Sequence, residues 1–319
     1  MTVRAYRIGV VFPASADPAD LPAFALRVEE LGFDSLWLIE DCFLSGGLTM
    51  AATALAATES IRVGIGLLPA PVRNPAIAAM EIATLGRIHP GRFEATLGHG
   101  VAEWMEQIGA LPSRRLAALG EITAAVRELL AGETVTMEGT HVTLSGVTLA
   151  HPPPIAPPVL IGTTGPKGLA VASQHANGIL LPEGSGPAFV RWAIAQTSAA
   201  TAARCVVYSW LSIDDEPTRA RRRLMPAIDL WLNSDLFPHA KRAAGVAELL
   251  PPGDPARLAL TDAISICGDV GMCADAVRQL AAAGADTIVL APPADELEPQ
   301  VERFAHDVMP LLQGGAYET

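Results

Sequence analysis

The chain has 319 residues, half of them hydrophobic, with 34 acidic against 22 basic side chains and a formal net charge of −12. Such acidity argues against a nucleic-acid or anionic-membrane partner, because phosphate-rich surfaces are met with surplus lysine and arginine. No apolar run reaches the roughly 18–20 residues that a bilayer span needs, and residues 1–13 lack the apolar core and small-residue cleavage site of a signal peptide, so a soluble, cytoplasmic protein is expected.

In chain order, strands are predicted at Arg7–Phe12, Ser35–Glu40, Ile61–Leu68, Arg92–Gly98, Val159–Thr163, Gly178–Leu181, Cys205–Leu211 and Thr287–Leu290. Most are continuous apolar runs, the pattern of strands covered on both faces. Helical stretches lie between them, among them Asp20–Leu31, Pro75–Ile88, Arg114–Ala131 and Ala274–Ala283. Asp20 and Asp275 are candidate caps or first-turn acids, and Gly32 and Gly284 are stop signals. Eight strand–helix units imply an α/β protein folded as one (β/α)8 TIM barrel over residues 1–319. A doubly wound sheet is the competitor, but no GxGxxG follows the first strand.

Two excursions break the alternation. Thr134–Leu149 is β-branched with glycine turns and reads as a hairpin before the fifth barrel strand. The region from Glu216 to Leu250 reads as a long helical insertion before the eighth. Loop excursions on a barrel often cover its active site. Arg219–Arg223 is the one basic run, read as the solvated face of a helix, and only the last few residues, 314–319, read as a disordered tail.

The stretch Val159–Ala172 gives a short strand, a Gly-Pro-Lys turn and a helix start. Unpaired N–H groups at such a start suit a phosphate, and Lys167 is one of only two lysines. The alternative is an ordinary connection with a surface lysine. Cys42, Cys205, Cys267 and Cys273 show no paired zinc spacing, and the seven histidines are scattered, so no metal site is expected.

Five segments together resemble the luciferase-like flavin and deazaflavin oxidoreductases. They are residues 31–41, 61–75, 84–100, 162–167 with 176–181, and 281–290, in that order. The Gly-Pro-Lys form is most similar to members that use coenzyme F420, especially methylenetetrahydromethanopterin reductases. The resemblance implies a cofactor at the carboxyl ends of the strands, a small-molecule substrate and a homodimer. It implies an F420-dependent oxidoreductase. The alternatives are an FMN-dependent monooxygenase, which would need a flavin reductase partner, and a barrel that binds flavin or deazaflavin without turnover.

The resemblance also implies roles for residues. Gly66-Leu67 would form a cis peptide bulge behind the ring, the alternative being a trans strand end. Gly98 and Gly100 would let backbone approach the ring, and His99 between them would move protons or else point into the barrel. The phosphate tail would lie on Gly162, Thr163, Thr164, Gly165, Pro166 and Lys167. Arg73 and Asn74 would hold that tail or its loop, Asn74 also capping the helix at Pro75. Glu40 and Asp41 are candidate proton carriers, Asp41 alternatively a helix cap. Many deazaflavin relatives have Asp-His where this chain has Asp41-Cys42, and the fourth-strand glycines are followed by Val101 rather than an acid. Cys42 reads as a bystander thiol, and Glu103, Trp104 and Trp210 as pocket candidates.

Overall fold

A computed structural model describes residues 5–198, 201, 204–246, 251 and 255–313. The end of the helical insertion at 247–250 and the tail at 314–319 lie outside the described residues.

All eight expected strands form, with ends shifted by no more than two residues. They are β1 (Arg7–Phe12), β2 (Ser35–Leu38), β3 (Arg62–Pro69), β4 (Phe93–Gly98), β7 (Val159–Gly162), β8 (Gly178–Leu181), β9 (Cys205–Ile213) and β11 (Thr287–Ala291). They pair in parallel in the order β9-β11-β1-β2-β3-β4-β7-β8, and β8 pairs back onto β9. That pairing closes the sheet into a barrel and excludes the open doubly wound alternative. The expected hairpin forms as β5 (Val135–Glu138) and β6 (Thr143–Val147). A three-residue strand missed in the sequence, β10 (Ile266–Gly268), adds to the upper end of β9.

Alternation along the strands sorts the core. Val11, Trp37, Leu160, Leu180, Val206, Tyr208 and Val289 form a small cluster inside the barrel. Their neighbours, such as Val10, Leu36, Ile65, Ile161 and Val207, face the helices in the much larger outer core. Gly64 makes room for the buried Trp37, whose ring would meet a Cβ there at 2.5–2.6 Å. The interior is therefore packed, which leaves the mouth as the place for a site.

Helices follow most strands. They include α1 (Leu21–Glu30), α2 (Gly47–Ala57), α3 (Pro75–Ile88), α4 (Ala102–Gln107), α5 (Arg115–Leu130), α6 (Pro166–His175) and α7 (Pro187–Ala195). One predicted cap is corrected. The helix expected from Ala274 starts at Val270, so Asp275 lies inside it and Asp269 accepts from the Met272 N–H at 2.8 Å. Asp20 precedes α1 without a side-chain cap bond, while Asp17 caps the 3-10 turn before it.

The two excursions part ways. The hairpin packs beside α5, where Glu121 accepts from the N–H groups of Thr140, His141 and Val142 at 2.8–3.0 Å. The helical insertion, Pro217–Asn233 then Pro238–Ala243, reaches over the mouth, and Thr164 Oγ1 meets the Leu236 carbonyl at 3.4 Å. The basic run in this insertion is not a free solvated face. Arg219 pairs with Asp214 at 2.8 Å, Arg221 with Asp262 at 2.7 Å, and Arg223 with Glu296 at 2.9 Å.

Candidate active site

Among the cavities at the carboxyl end of the barrel, two carry the candidate site. The first, of about 640 Å³, lies over β4 and β7. It is lined by His99, by Ser113–Ala117 at the start of α5, and by Thr163, Thr164, Gly165 and Gly168 at the start of α6. Neither helix has a side-chain cap: α5 begins after Arg114 and α6 after Gly165. Two sets of unpaired N–H groups, each at the positive end of a helix dipole, thus share one cavity with Arg114 and Arg115. Burial, and secondarily the charge of Arg115, lowers the His99 pKa to about 4. The imidazole is neutral at pH 7, so the arginines and backbone amides supply the positive potential.

The second cavity, of about 560 Å³, lies over β1, β2, β8, β9 and β11. Its walls include Val11, Ile39, Trp210 and Ala291, and its polar groups are Asp41, Glu183, Asp295 and Arg223. Burial raises the pKa of Asp41. Glu183 is raised by burial and by the charge of Asp41. Arg223 is spent on Asp214, Glu296 and the Ser212 hydroxyl.

Between the cavities lies a platform made by the end of β3. The Gly66–Leu67 peptide is cis, as expected, and the β3–β4 register shifts there between Ile65 and Leu68. Leu67 lies over β4 and β7, against the faces of Gly98 and Gly162; a Cβ on Gly162 would meet its Cδ2 at 2.7 Å. Gly66 faces inward to the Tyr208 hydroxyl and Leu180. Gly100 has φ +67°, the left-handed region in which glycine is unstrained.

A family model described as luciferase-like monooxygenase matches residues 5–287. The chain belongs to the luciferase-like family. It is 29% identical to a 5,10-methylenetetrahydromethanopterin reductase of Methanolobus tindarius, over 89% of this chain and 94% of the relative. It is 28% identical to an F420-dependent glucose-6-phosphate dehydrogenase of Intrasporangium calvum, over 96% and 99%. The barrel superposes on the coenzyme F420-dependent tetrahydromethanopterin reductase of Methanopyrus kandleri with a TM-score of 0.81 at 22% identity, covering 96% of this chain and 99% of that one. It also superposes on an FMN-bound type II Baeyer–Villiger monooxygenase constituent of Pseudomonas putida, with a TM-score of 0.76 at 16% identity, covering 96% and 98%.

Within this luciferase-like barrel the sequence-predicted residues divide. His99, Thr163, Thr164 and Gly165 come together in the first cavity, with Pro166 as the first residue of α6. Lys167 is exposed and does not line that cavity. Gly98, Gly162, Gly66 and Leu67 build the platform. Asp41 and Trp210 face the second cavity, whereas Glu103 and Trp104 sit on α4 and line neither.

Glu40, Arg73 and Asn74 are used elsewhere. Both Glu40 oxygens accept from the Arg73 guanidinium at 2.6 and 2.8 Å, and Oε2 also accepts from the Gly47 N–H at 2.8 Å. Glu40 thereby caps α2, a role the sequence had offered to Asp41. Arg73 is further paired with Glu81, and Asn74 caps α3 through the Ala76 N–H at 2.9 Å. Cys42 is held as the thiol by burial and by Glu40 and Asp41. Among the described residues, no three His, Cys, Asp or Glu side chains cluster as a metal site would need.

Sequence reasoning missed Arg114, Arg115 and Glu183. The arginines had a signal, two basic residues opening a helix that lacks a capping side chain. Glu183 had little, because only the closed barrel brings it opposite Asp41.

Proposed function

We propose that this single-domain barrel, residues 1–319, is a cytoplasmic oxidoreductase that binds coenzyme F420 and transfers a hydride between it and a small organic substrate. The observation that carries the reading is the pair of uncapped helix starts with Arg114 and Arg115 on one cavity, joined by the Leu67 platform to a second cavity. The donor set fits a ligand with an anionic tail: backbone N–H groups of α5 and α6 face the phosphate and the guanidinium groups balance its charge. Leu67, flanked by Gly98 and Gly162, offers a flat apolar rest for a ring. When bound, the deazaflavin supplies hydride chemistry with little reactivity toward oxygen, because carbon replaces the central flavin nitrogen.

His99 enters as a neutral imidazole able to accept or donate one hydrogen bond beside the tail. Proton traffic falls to the Asp41 carboxyl, which faces the substrate side. Glu40 fixes the loop that carries Asp41. Catalysis is then chiefly a matter of holding donor and acceptor in contact.

Three further features fit this reading. All four cysteines are free thiols, as a reducing compartment allows. No helix among the described residues is long and apolar enough to cross a membrane. Ile77, Met80 and Ile88 leave one apolar face of α3 exposed by 48%, 50% and 64%, a surface that a second copy would cover in a homodimer.

The test is a fluorescence titration of the purified protein with F420 and, separately, with FMN. Micromolar binding of F420 with weaker FMN binding is expected. Tighter binding of FMN would overturn the cofactor reading in favour of a monooxygenase supplied by a flavin reductase. Tight F420 binding without hydride exchange over a broad substrate panel would leave a binding protein.

A further inference from the structure

The second cavity has a charge pattern that the proposed hydride transfer does not by itself require. Asp41 comes from the end of β2 and Glu183 from just beyond β8, and both line one space with Trp210. No lysine lines it, and its one arginine is occupied: Arg223 donates to Ser212 at 2.9 Å and is paired with Glu296 at 2.9 Å and Asp214 at 3.3 Å. Neither Asp41 nor Glu183 has an ion-pair partner among the described residues, and the Glu183 carboxylate is met by its own backbone N–H. Asp295 adds a third acid at the exposed rim.

Beneath the cavity lies a further unmet group. Tyr208 belongs to the inner cluster with Val11 and Ala291, both of which line the cavity, and Trp210 packs against that cluster. Its hydroxyl lies against Gly66 and has no hydrogen-bond partner among the described residues, in a residue only 2% exposed. Glu183 is near enough to raise the phenol pKa, after burial itself. Two carboxyl groups and one indole thus line a space with no free cation among the described residues, above the buried Tyr208.

We infer that this cavity selects a substrate with a positively charged nitrogen, an ammonium or iminium group, held between the Asp41 and Glu183 carboxylates against Trp210. An anion such as a sugar phosphate finds no partner there and meets two acids. A cation meets two acceptors beside an indole, each a favourable neighbour for positive charge. The inference rests on the reading of this cavity as the substrate side of the oxidoreductase.

Burial raises both carboxyl groups, and the charge of Asp41 adds to the rise at Glu183. A bound cation favours the ionised forms. Arg223 and Asp295 on the cavity wall, with Tyr208 and Cys42 nearby, are the other titratable neighbours.

The experiment uses the full chain and calorimetry with cyclohexylammonium, cyclohexanol and cyclohexanecarboxylate, which share one ring. The amine is expected to bind about tenfold or more tightly than either other probe. Glu183→Gln and Asp41→Asn should each cost the amine about tenfold while leaving cyclohexanol unchanged. Equal binding of the three probes, preference for the carboxylate, or no binding of the amine would each overturn the inference. F420 titration of the same samples separates the two levels. Amine preference without F420 binding removes the cofactor reading alone, and F420 binding without amine preference removes this one alone.

Discussion

The two cavities at the barrel mouth are built from the same kind of parts, strand ends and the loops that follow, yet they have opposite polarity. Over β4 and β7 the chain supplies Arg114, Arg115 and two uncapped helix starts. Over β1, β2, β8, β9 and β11 it supplies Asp41, Glu183 and Asp295, with its arginine already paired. The positive side gets much of its potential from backbone, which cannot titrate, whereas the acidic side depends on side chains whose charge follows their surroundings. A fixed anchor suits an invariant tail, and a titratable pocket suits the partner that reacts.

Charge reversal on the positive side should have the largest effect. Arg115→Glu removes a guanidinium from the first cavity and puts a carboxylate beside the same helix start. A loss of about 100-fold in affinity for a phosphate-bearing cofactor is expected, about 3 kcal/mol. The same titration in rising salt should weaken wild type and leave the variant nearly flat. Unchanged affinity in Arg115→Glu would mean that the tail does not lie in this cavity.

The next test separates the cavities from the strut between them. Glu40→Ala leaves Arg73, only 23% exposed as a side chain, without its bidentate partner and removes the cap from the Gly47 N–H. A stability loss of about 2–4 kcal/mol by denaturant unfolding is expected. Glu40→Gln, which keeps an acceptor for Gly47, should lose less. If Glu40 instead carried protons in the reaction, Glu40→Gln would abolish turnover while leaving the unfolding midpoint unmoved.

This strut also shows how far the residues alone could speak. The eight strands were legible because buried parallel strands are continuous apolar runs. The Gly66–Leu67 bulge was legible only through the family resemblance and the Gly98 face through glycine's tolerance of close approach, whereas Gly162, expected on the tail, instead flanks Leu67. The Glu40–Arg73 pair was not legible because the partners lie 33 residues apart and only the β2–β3 pairing brings Arg73 alongside. Asp275 was misread because a first-turn acid and an interior acid look alike where the true cap, Asp269, precedes a glycine-containing turn of helix. Glu183 was invisible because β2 and β8 are not neighbours in the sheet, and local pattern carries no record of what faces across a barrel. β10 was too short for periodicity to register.

The His99 imidazole tests the positive cavity through pH. Its folded pKa of about 4 lies below the usual value of 6.5. Between these values the unfolded chain binds more protons, so stability is full above pH 6.5 and falls as the pH drops toward 4. His99→Asn should remove part of that acid loss, making the difference in thermal midpoint between variant and wild type more favourable to the variant at pH 5 than at pH 7.5. A phosphate-bearing ligand offsets the repulsion by Arg115 and should raise the imidazole pKa, visible as a downfield shift of its titration midpoint by NMR toward higher pH. No change on binding would put the anion out of reach of His99.

The smallest effect is expected on the acidic side, with the opposite pH sign. Burial and Asp41 raise Glu183 above its unfolded value. Its contribution to stability is therefore full below the unfolded pKa and is lost as the pH rises through the folded one. Glutamine carries no such penalty at any pH. Glu183→Gln should thus match wild type near pH 4 and exceed it at pH 8 by about 1–3 °C in thermal midpoint. Asp41→Asn should reduce that gain when the two substitutions are combined, because Asp41 supplies part of the Glu183 penalty. A gain that is the same at both pH values would assign the effect to packing. A loss at pH 8 would mean that the carboxylate has a cationic partner in the folded protein, and the contrast between the two cavities would then be one of shape rather than charge.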